Sequence, residues 1–128
     1  MISQKEKLKY WLDSAVNDQE TAEKLFDASK YDWCLFLWHL VIEKLLKAVI
    51  TKENKEVPAI HDLKTLSKGT SLRFTPEDQI RLIEITSFNI NTRYDDYKRS
   101  FYHKANKAYA TKWSEICLRL ANSIRSTI

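Results

Sequence analysis

The sequence predicts an all-α protein, folded as an antiparallel helical bundle in a single domain that spans residues 1–128. Three observations support this prediction. The chain has one glycine and two prolines, so it is poor in the turn residues that a succession of short strands requires. Apolar residues recur at the intervals of three and four that are typical of helices. The 128 residues suffice for one hydrophobic core without disulfides or bound metal.

Two long helices are predicted in the first half of the chain. The first runs from about Ser3 to Ala28, where leucine, alanine and phenylalanine residues recur along one helical face. The second runs from about Tyr31 to Lys52. Its residues 33–42 leave almost no polar face, and a helix that is apolar all round is buried all round. We therefore expect this second helix at the centre of the protein.

A short helix is predicted over residues 61–66, followed by a third long helix that runs from Thr75 to about Arg93. Thr75 can cap the long helix, and Pro76 suits its first position. Two adjoining rows run along this helix, one formed by Ile80, Ile83, Ser87 and Ile90, the other by Leu82, Ile85 and Phe88.

The last helix is predicted from about Lys104 to Ser126, after a segment, residues 91–102, that has no regular helical pattern. Leu118 is an aliphatic residue on the otherwise polar side of this helix. Because a partner is a natural explanation for such a residue, we expect a dimer to form through the face that carries Leu118.

The net charge of +4 is unevenly distributed along the chain. Residues 91–128 contain eight Lys and Arg against three acids, and residues 98–112 contain five basic residues and no acid. Such asymmetry suggests an anionic partner such as RNA, a nucleotide or an acidic protein surface. A solvated helix face is the alternative interpretation.

The sequence also predicts a cytoplasmic protein, because no secretory signal or membrane span is visible. Cys34 and Cys117 are expected to be free, buried thiols. His39 and Glu43 share a helical face, but no third metal ligand accompanies them, so His39 is expected to be a core histidine whose polar atoms are hydrogen-bonded. We expect no metal and no cofactor.

Four segments carry a family resemblance through their order and spacing. They are Trp11-Leu12-Asp13-Ser14-Ala15, Val41-Ile42-Glu43-Lys44-Leu45-Leu46-Lys47-Ala48, His61-Asp62-Leu63 and Arg93-Tyr94-Asp95-Asp96-Tyr97. Together they resemble a HEPN domain (higher eukaryotes and prokaryotes nucleotide-binding). In the last segment, Asp95 stands where the family usually has proline. The resemblance implies an up-and-down bundle of four main helices plus a short one, usually a homodimer, often paired with a minimal nucleotidyltransferase in toxin–antitoxin fashion.

Active members of this family are metal-independent ribonucleases that use an Arg, four to six residues and then a His. The chain departs from this spacing, because nine residues separate Arg93 from His103 and three separate Arg99 from His103. On a continuous helix, Arg99 and His103 would share a face. The candidate catalytic residues are therefore Arg93, Arg99 and His103, with His103 moving the proton of a ribose hydroxyl and an Arg holding the phosphate.

The leading hypothesis is a homodimeric HEPN-like subunit that binds RNA, a nucleotide or its nucleotidyltransferase partner without cutting RNA. A metal-independent endoribonuclease is the alternative. A structural ion-pair cluster of Arg93 with Asp95 and Asp96 is a further interpretation of that motif. The candidate nucleic-acid- or nucleotide-binding residues are Arg93, Tyr94, Tyr97, Lys98, Arg99, Lys104 and Lys107.

Overall fold

A computed structural model describes all 128 residues and contains six helices and no strand, which confirms the all-α prediction. The helices are α1 (Gln4–Asp27), α2 (Tyr31–Lys52), α3 (Leu63–Lys68), α4 (Pro76–Arg93), α5 (Ser100–Lys104) and α6 (Lys107–Arg125). None of these helices is both long and apolar enough to cross a membrane.

Polar side chains cap the starts of four helices, α1, α3, α4 and α6. Helices α1 and α4 begin where predicted, directly after Ser3 and Thr75, whose hydroxyls accept a backbone N–H from the first turn. Asp62 accepts the N–H of the residue three positions later (3.0 Å), so α3 begins at Leu63, two residues after its predicted start. Asn106 does the same for α6 (2.9 Å), and the last helix therefore begins at Lys107 rather than Lys104.

Helix α2 is the central element, as predicted. Fifteen of its 22 residues are buried, and it contacts every other helix. Consecutive long helices run in opposite directions, because the start of each lies against the later part of the next. Three hydrogen bonds mark these meetings: Gln4 Nε2 to Thr51 O (2.9 Å), Thr92 Oγ1 to Asp32 O (3.1 Å) and Arg119 Nη2 to Asp78 Oδ1 (2.8 Å).

The hydrophobic core holds 23 buried residues and includes an aromatic group around Phe88. The Phe88 ring centroid lies 5.9 Å from that of Phe101, 6.1 Å from Tyr109 and 5.7 Å from Trp113. Phe101 belongs to α5, a helix that the sequence pattern does not predict. The burial of Phe101 against Phe88 anchors this extra turn of helix between α4 and α6.

Only one of the two apolar rows of α4 faces the core. Leu82, Ile85 and Phe88 are fully buried. The other row, with its isoleucines, lies on the surface. Helix α4 therefore has a second apolar face that the bundle itself does not cover.

Both cysteines are free and buried, as expected. Burial raises the pKa of the Cys34 thiol to about 11, although a contact with Ser114 acts in the opposite direction. Burial also raises the pKa of the Cys117 thiol. Neither thiol is therefore set up as a nucleophile near neutral pH.

Candidate nucleic-acid interface

The segment between α4 and α5 is organised by the Asp95 carboxylate. It accepts backbone N–H groups from Asp96 (2.9 Å), Phe101 (3.0 Å) and Tyr102 (2.9 Å). Desolvation raises the pKa of Asp95, but these donors outweigh it and hold the pKa below its ordinary value. The chain between Asp95 and Tyr102 is thereby folded back into a defined loop.

Asp96 also stabilises this loop, through hydrogen bonds to Ser100. Its carboxylate accepts from the hydroxyl (2.7 Å) and the backbone N–H (2.9 Å) of Ser100, and these bonds lower the pKa of Asp96. Neither Asp95 nor Asp96 pairs with Arg93, whose guanidinium donates to the Asn89 side chain instead. The interpretation of this motif as an ion-pair cluster is therefore wrong, because the loop backbone already engages the two carboxylates.

Arg99 is the residue at which the loop turns into α5. Its backbone is left-handed, with φ 56° and ψ 43°, a conformation that residues other than glycine rarely adopt. The helix begins at Ser100, and the Arg99 carbonyl accepts the His103 N–H at 3.0 Å. Arg99 therefore does not lie on a continuous helix with His103, although it remains next to the first turn of α5.

Arg99 and His103 each contact the ring of Tyr102. The Arg99 guanidinium carbon lies 3.7 Å from the centre of the Tyr102 ring, and the His103 ring centroid lies 5.3 Å from it at 79°. Arg93 lies elsewhere, with its guanidinium carbon 5.1 Å from the centre of the Tyr94 ring. Within one chain, Arg99 is thus the arginine candidate that shares an aromatic contact with His103.

Cations beside aromatic rings recur along this surface. Tyr97 is 90% exposed, and the Lys98 ammonium lies 5.8 Å from its ring centre. The Lys104 ammonium lies 5.2 Å from the Tyr109 ring and also bonds to Glu84 at 3.3 Å. Exposed rings can stack on bases while the neighbouring cations meet phosphates, so the arrangement suits a single-stranded nucleic acid or a nucleotide.

Most cations of this surface have no acidic partner. Arg93, Lys98, Arg99 and Lys107 have no carboxylate oxygen within 4.0 Å, whereas Lys104 is paired with Glu84. Lys107 is the first residue of α6, where its charge adds to the positive end of the helix dipole. Because no carboxylate of the chain neutralises these charges, they are free to contact an anionic ligand.

A second polar cluster joins buried residues of α2 to the exposed His61, in the connection that leads to α3. Glu43 is 4% exposed, and its two carboxylate oxygens accept from Lys47 Nζ (3.1 Å) and His61 Nδ1 (2.9 Å). Lys44, on the neighbouring face of α2, donates to Ser14 of α1 at 2.7 Å. The cluster therefore ties α2 to its neighbours.

His39 is buried in the core, as predicted, but only one of its two ring nitrogens is hydrogen-bonded. Burial lowers its pKa below the ordinary value, so the ring is neutral. Nε2 lies 3.0 Å from the His61 carbonyl and donates to it, which leaves Nδ1 without a partner. No group of three or more His, Cys, Asp and Glu side chains converges in a way that could hold a metal ion.

Comparison with known proteins assigns the class to which this fold belongs. Residues 8–127 match the family model of the HEPN domain, and the chain therefore belongs to the HEPN domain family. The curated proteins include no match to the chain. Among solved structures, the chain is similar to TT1696 from Thermus thermophilus, with a TM-score of 0.79 and 15% identity over 95% of this chain and 98% of that one. At that identity, the likeness establishes the shared fold.

The sequence identified the segment that forms the candidate interface but not its internal arrangement. The roles of Asp95 and Asp96 as acceptors for the loop backbone were not predicted. The link between Glu43 and His61 was also missed, because the two residues are 18 positions apart and share no periodic pattern. The His61-Asp62-Leu63 segment of the family resemblance was the only sequence signal that could have indicated the contact between Glu43 and His61.

Proposed function

We propose that this HEPN domain protein binds single-stranded RNA or a nucleotide through the loop between α4 and α6. The binding surface consists of Arg93, Tyr94, Tyr97, Lys98, Arg99, Lys104 and Lys107. The observation that supports this proposal best is the placement of unpaired cations beside exposed tyrosine rings. A stacked base contributes about 1–3 kcal/mol to binding.

The proposal includes a homodimer that acts with a minimal nucleotidyltransferase in a toxin–antitoxin-like pair. Membership of the HEPN family supports this part, since small free-standing HEPN proteins are often encoded beside a minimal nucleotidyltransferase. The test is co-purification from the native host, with both protein and nucleic acid identified. Recovery of the chain without a nucleotidyltransferase would contradict the pairing.

RNA binding is tested by fluorescence anisotropy with a labelled single-stranded RNA over a range of salt concentrations. Replacing Lys98 and Arg99 by Ala should weaken binding and reduce the slope of log K against log salt by about 1.4, because each phosphate contact in a single strand contributes about 0.7. The matched control replaces Lys24 and Lys68, which are exposed, unpaired and distant in sequence.

Stacking is tested separately with Tyr97→Ala, against Tyr10→Ala as a control on α1. Tyr97→Ala should weaken binding about 5- to 100-fold without changing the salt slope. Tyr10 is also exposed but lies outside the surface, so its removal should have no effect. Binding that is insensitive to salt, or that is lost equally in the control variants, would contradict this interface and favour a protein partner.

An endoribonuclease is a second candidate, favoured by the shared contact of Arg99 and His103 with Tyr102. In this mechanism neutral His103 takes the proton of the ribose 2′-hydroxyl while that oxygen bonds to phosphorus. The bond to the 5′-oxygen breaks, and this leaving oxygen gains a proton from a second acid or water. The Arg99 guanidinium stabilises the negative charge on the phosphate oxygens.

This second candidate predicts cleavage in excess EDTA, with 2′,3′-cyclic phosphate at the product ends. His103→Ala should reduce the rate roughly 10²- to 10⁴-fold. Arg99→Ala should be severe and Arg93→Ala mild, because Arg99 shares the ring contact with His103. Cleavage that survives His103→Ala, or that EDTA abolishes, would exclude this mechanism. Inactivity on several RNAs would leave binding as the function.

A further inference from the structure

Trp33 is an exposed tryptophan on a helix that is otherwise mostly buried. The sequence pattern predicts that residues 33–42 of α2 are buried on all sides, but Trp33 is 43% exposed. Of the other tryptophans, Trp11 is partly buried, and Trp38 and Trp113 are buried. An exposed indole offers a large flat face on which a nucleic-acid base can stack. Trp33 is therefore a candidate contact that the sequence did not indicate.

Trp33 is one end of a row of four side chains that crosses from α2 to the end of α4. Its ring centroid lies 5.6 Å from that of Phe36, at 82°. The guanidinium carbon of Arg93 lies 5.7 Å from the Phe36 ring centre and 5.1 Å from the Tyr94 ring centre. Trp33, Phe36, Arg93 and Tyr94 are termed the α2–α4 row. Along it, two aromatic rings are followed by a cation and then by a third ring.

Hydrogen bonds hold the α2–α4 row in place. The Thr92 hydroxyl donates to the Asp32 carbonyl at 3.1 Å, which fixes the end of α4 against the start of α2. Arg93 Nε donates to the Asn89 carbonyl at 3.3 Å, and Arg93 Nη2 donates to the side-chain oxygen of the buried Asn89. A surface whose side chains are already positioned loses little conformational entropy when it binds a ligand.

The carboxylates near the row are engaged within the chain, whereas the Arg93 guanidinium is largely free. Asp32 is buried and accepts the Trp33 N–H at 3.0 Å. Asp95 and Asp96 accept the hydrogen bonds that organise the α4–α5 loop. Arg93 has no carboxylate oxygen within 4.0 Å. Its two bonds to Asn89 use two of the five guanidinium N–H groups, so the other three can meet a phosphate.

We propose that the α2–α4 row binds one dinucleotide step of a single-stranded RNA. One base stacks on Trp33, the next base stacks on Tyr94, and the phosphate between them contacts Arg93. The inference rests on the proposed function and deepens it, because it extends the binding surface from the loop onto α2 and names the substrate as a single strand.

The order of rings and cation excludes the other forms of nucleic acid. A mononucleotide has one base and cannot occupy Trp33 and Tyr94 together, because Phe36 and Arg93 lie between these two rings in the row. In a duplex the bases stack on one another, so their faces are not open to aromatic side chains. In a single strand, successive bases can be splayed out and stack on separate rings, while the phosphate between them meets a cation.

Fluorescence anisotropy with a labelled oligouridylate tests the Trp33 contact. Trp33→Ala should weaken binding about 5- to 100-fold, the effect of losing one stacked base, without changing the salt slope. Trp33→Phe keeps a ring and should retain most of the affinity. Tyr10→Ala is the matched control, since Tyr10 is an exposed aromatic residue of α1 outside the row. Circular dichroism melts confirm that each variant folds.

Intrinsic fluorescence gives a second measurement that does not depend on the alanine variant. The wild-type emission should be quenched when the oligouridylate binds, because a base stacks on the exposed indole. Trp33→Phe should lose this quenching although it still binds RNA, since its remaining tryptophans are partly or fully buried. Uridine monophosphate, and a duplex of the oligouridylate with oligoadenylate, should compete with the labelled strand only weakly.

Tyr97→Ala separates failure of this inference from failure of the proposed function. If Tyr97→Ala weakens RNA binding and Trp33→Ala does not, the loop binds RNA and the α2–α4 row is refuted. Strong competition by the mononucleotide or the duplex would refute the row as well. A wild type that binds no RNA at low salt would overturn both proposals. In sedimentation velocity, a dimer that Trp33→Ala dissociates while RNA affinity is unchanged would assign the row to a contact between copies and overturn the inference.

Discussion

Removing the Glu43 carboxylate should destabilise the fold more than any single exposed ion pair does. Lys47 is 6% exposed, and its only carboxylate partner is Glu43, at 3.1 Å. Its ammonium also lies 5.5 Å from the centre of the Trp11 ring. Glu43→Leu leaves this ammonium buried without a counter-charge and removes the acceptor of His61.

The expected loss in the free energy of unfolding is about 3–5 kcal/mol, the range for breaking a buried pair from one side. With an unfolding entropy of about 2.1 cal/mol/K per residue, this corresponds to a Tm lowered by roughly 10–20 °C. The double variant Glu43→Leu, Lys47→Met removes both charges and should recover most of the loss, because no unpaired charge remains buried.

Urea denaturation followed by tryptophan fluorescence measures these differences. The matched control is Asp13→Leu, which breaks the exposed pair of Asp13 with Lys9 at the same spacing of four residues. That change should alter stability by less than about 1 kcal/mol. A cost below about 1 kcal/mol for Glu43→Leu, or a double variant no more stable than the single one, would refute the reasoning.

Three further outcomes are expected. In the RNA-binding assay, Lys107→Ala should reduce the salt slope by about 0.7 and Lys104→Ala by less, because Lys104 already pairs with Glu84; equal effects would contradict this. The two cysteine thiols should resist Ellman's reagent at pH 8 until urea unfolds the chain, because burial raises both pKa values. The hydrogen bond from Arg119 holds the pKa of Asp78 below its ordinary value. The ionised Asp78 therefore stabilises the fold above the unfolded-state pKa of about 4, and this stabilisation is lost as the pH falls through the folded-state pKa. Asp78→Asn should therefore lower the free energy of unfolding at pH 7 by about 1 kcal/mol and reduce the difference between its values at pH 7 and pH 3. An unchanged difference would contradict this role of Asp78.

The long helices could be predicted because their apolar periodicity and caps are local properties of the sequence. Helix α5 could not, since its attachment to the core is the contact of Phe101 with Phe88, which depends on the tertiary fold. The left-handed backbone of Arg99 also gives no local signal, because an arginine rarely adopts that conformation. Local patterns therefore predicted the segment of the candidate interface but not the way its side chains meet.

The family motif of α2 has a physical explanation in the structure. Glu43 and Lys47 form the buried pair, while Lys44 reaches Ser14 and Asp18 on α1. The sequence showed that Glu43 and Lys47 are four positions apart on one helix, but it could not show that the partners of Lys44 lie on α1. The motif that identifies the family thus acts in part as an attachment of α2 to its neighbours.

The two aspartates that hold the α4–α5 loop also affect when its conformational entropy is lost. Because Asp95 and Asp96 together accept five hydrogen bonds from Asp96 itself and from the first three residues of α5, the segment is ordered when the chain folds rather than when a ligand arrives. In hydrogen exchange, the amides of Phe101 and Tyr102 should then be protected in the free protein and change little on binding. A ligand would meet a surface whose shape is already fixed, and selectivity would depend on whether its rings and charges fit that shape.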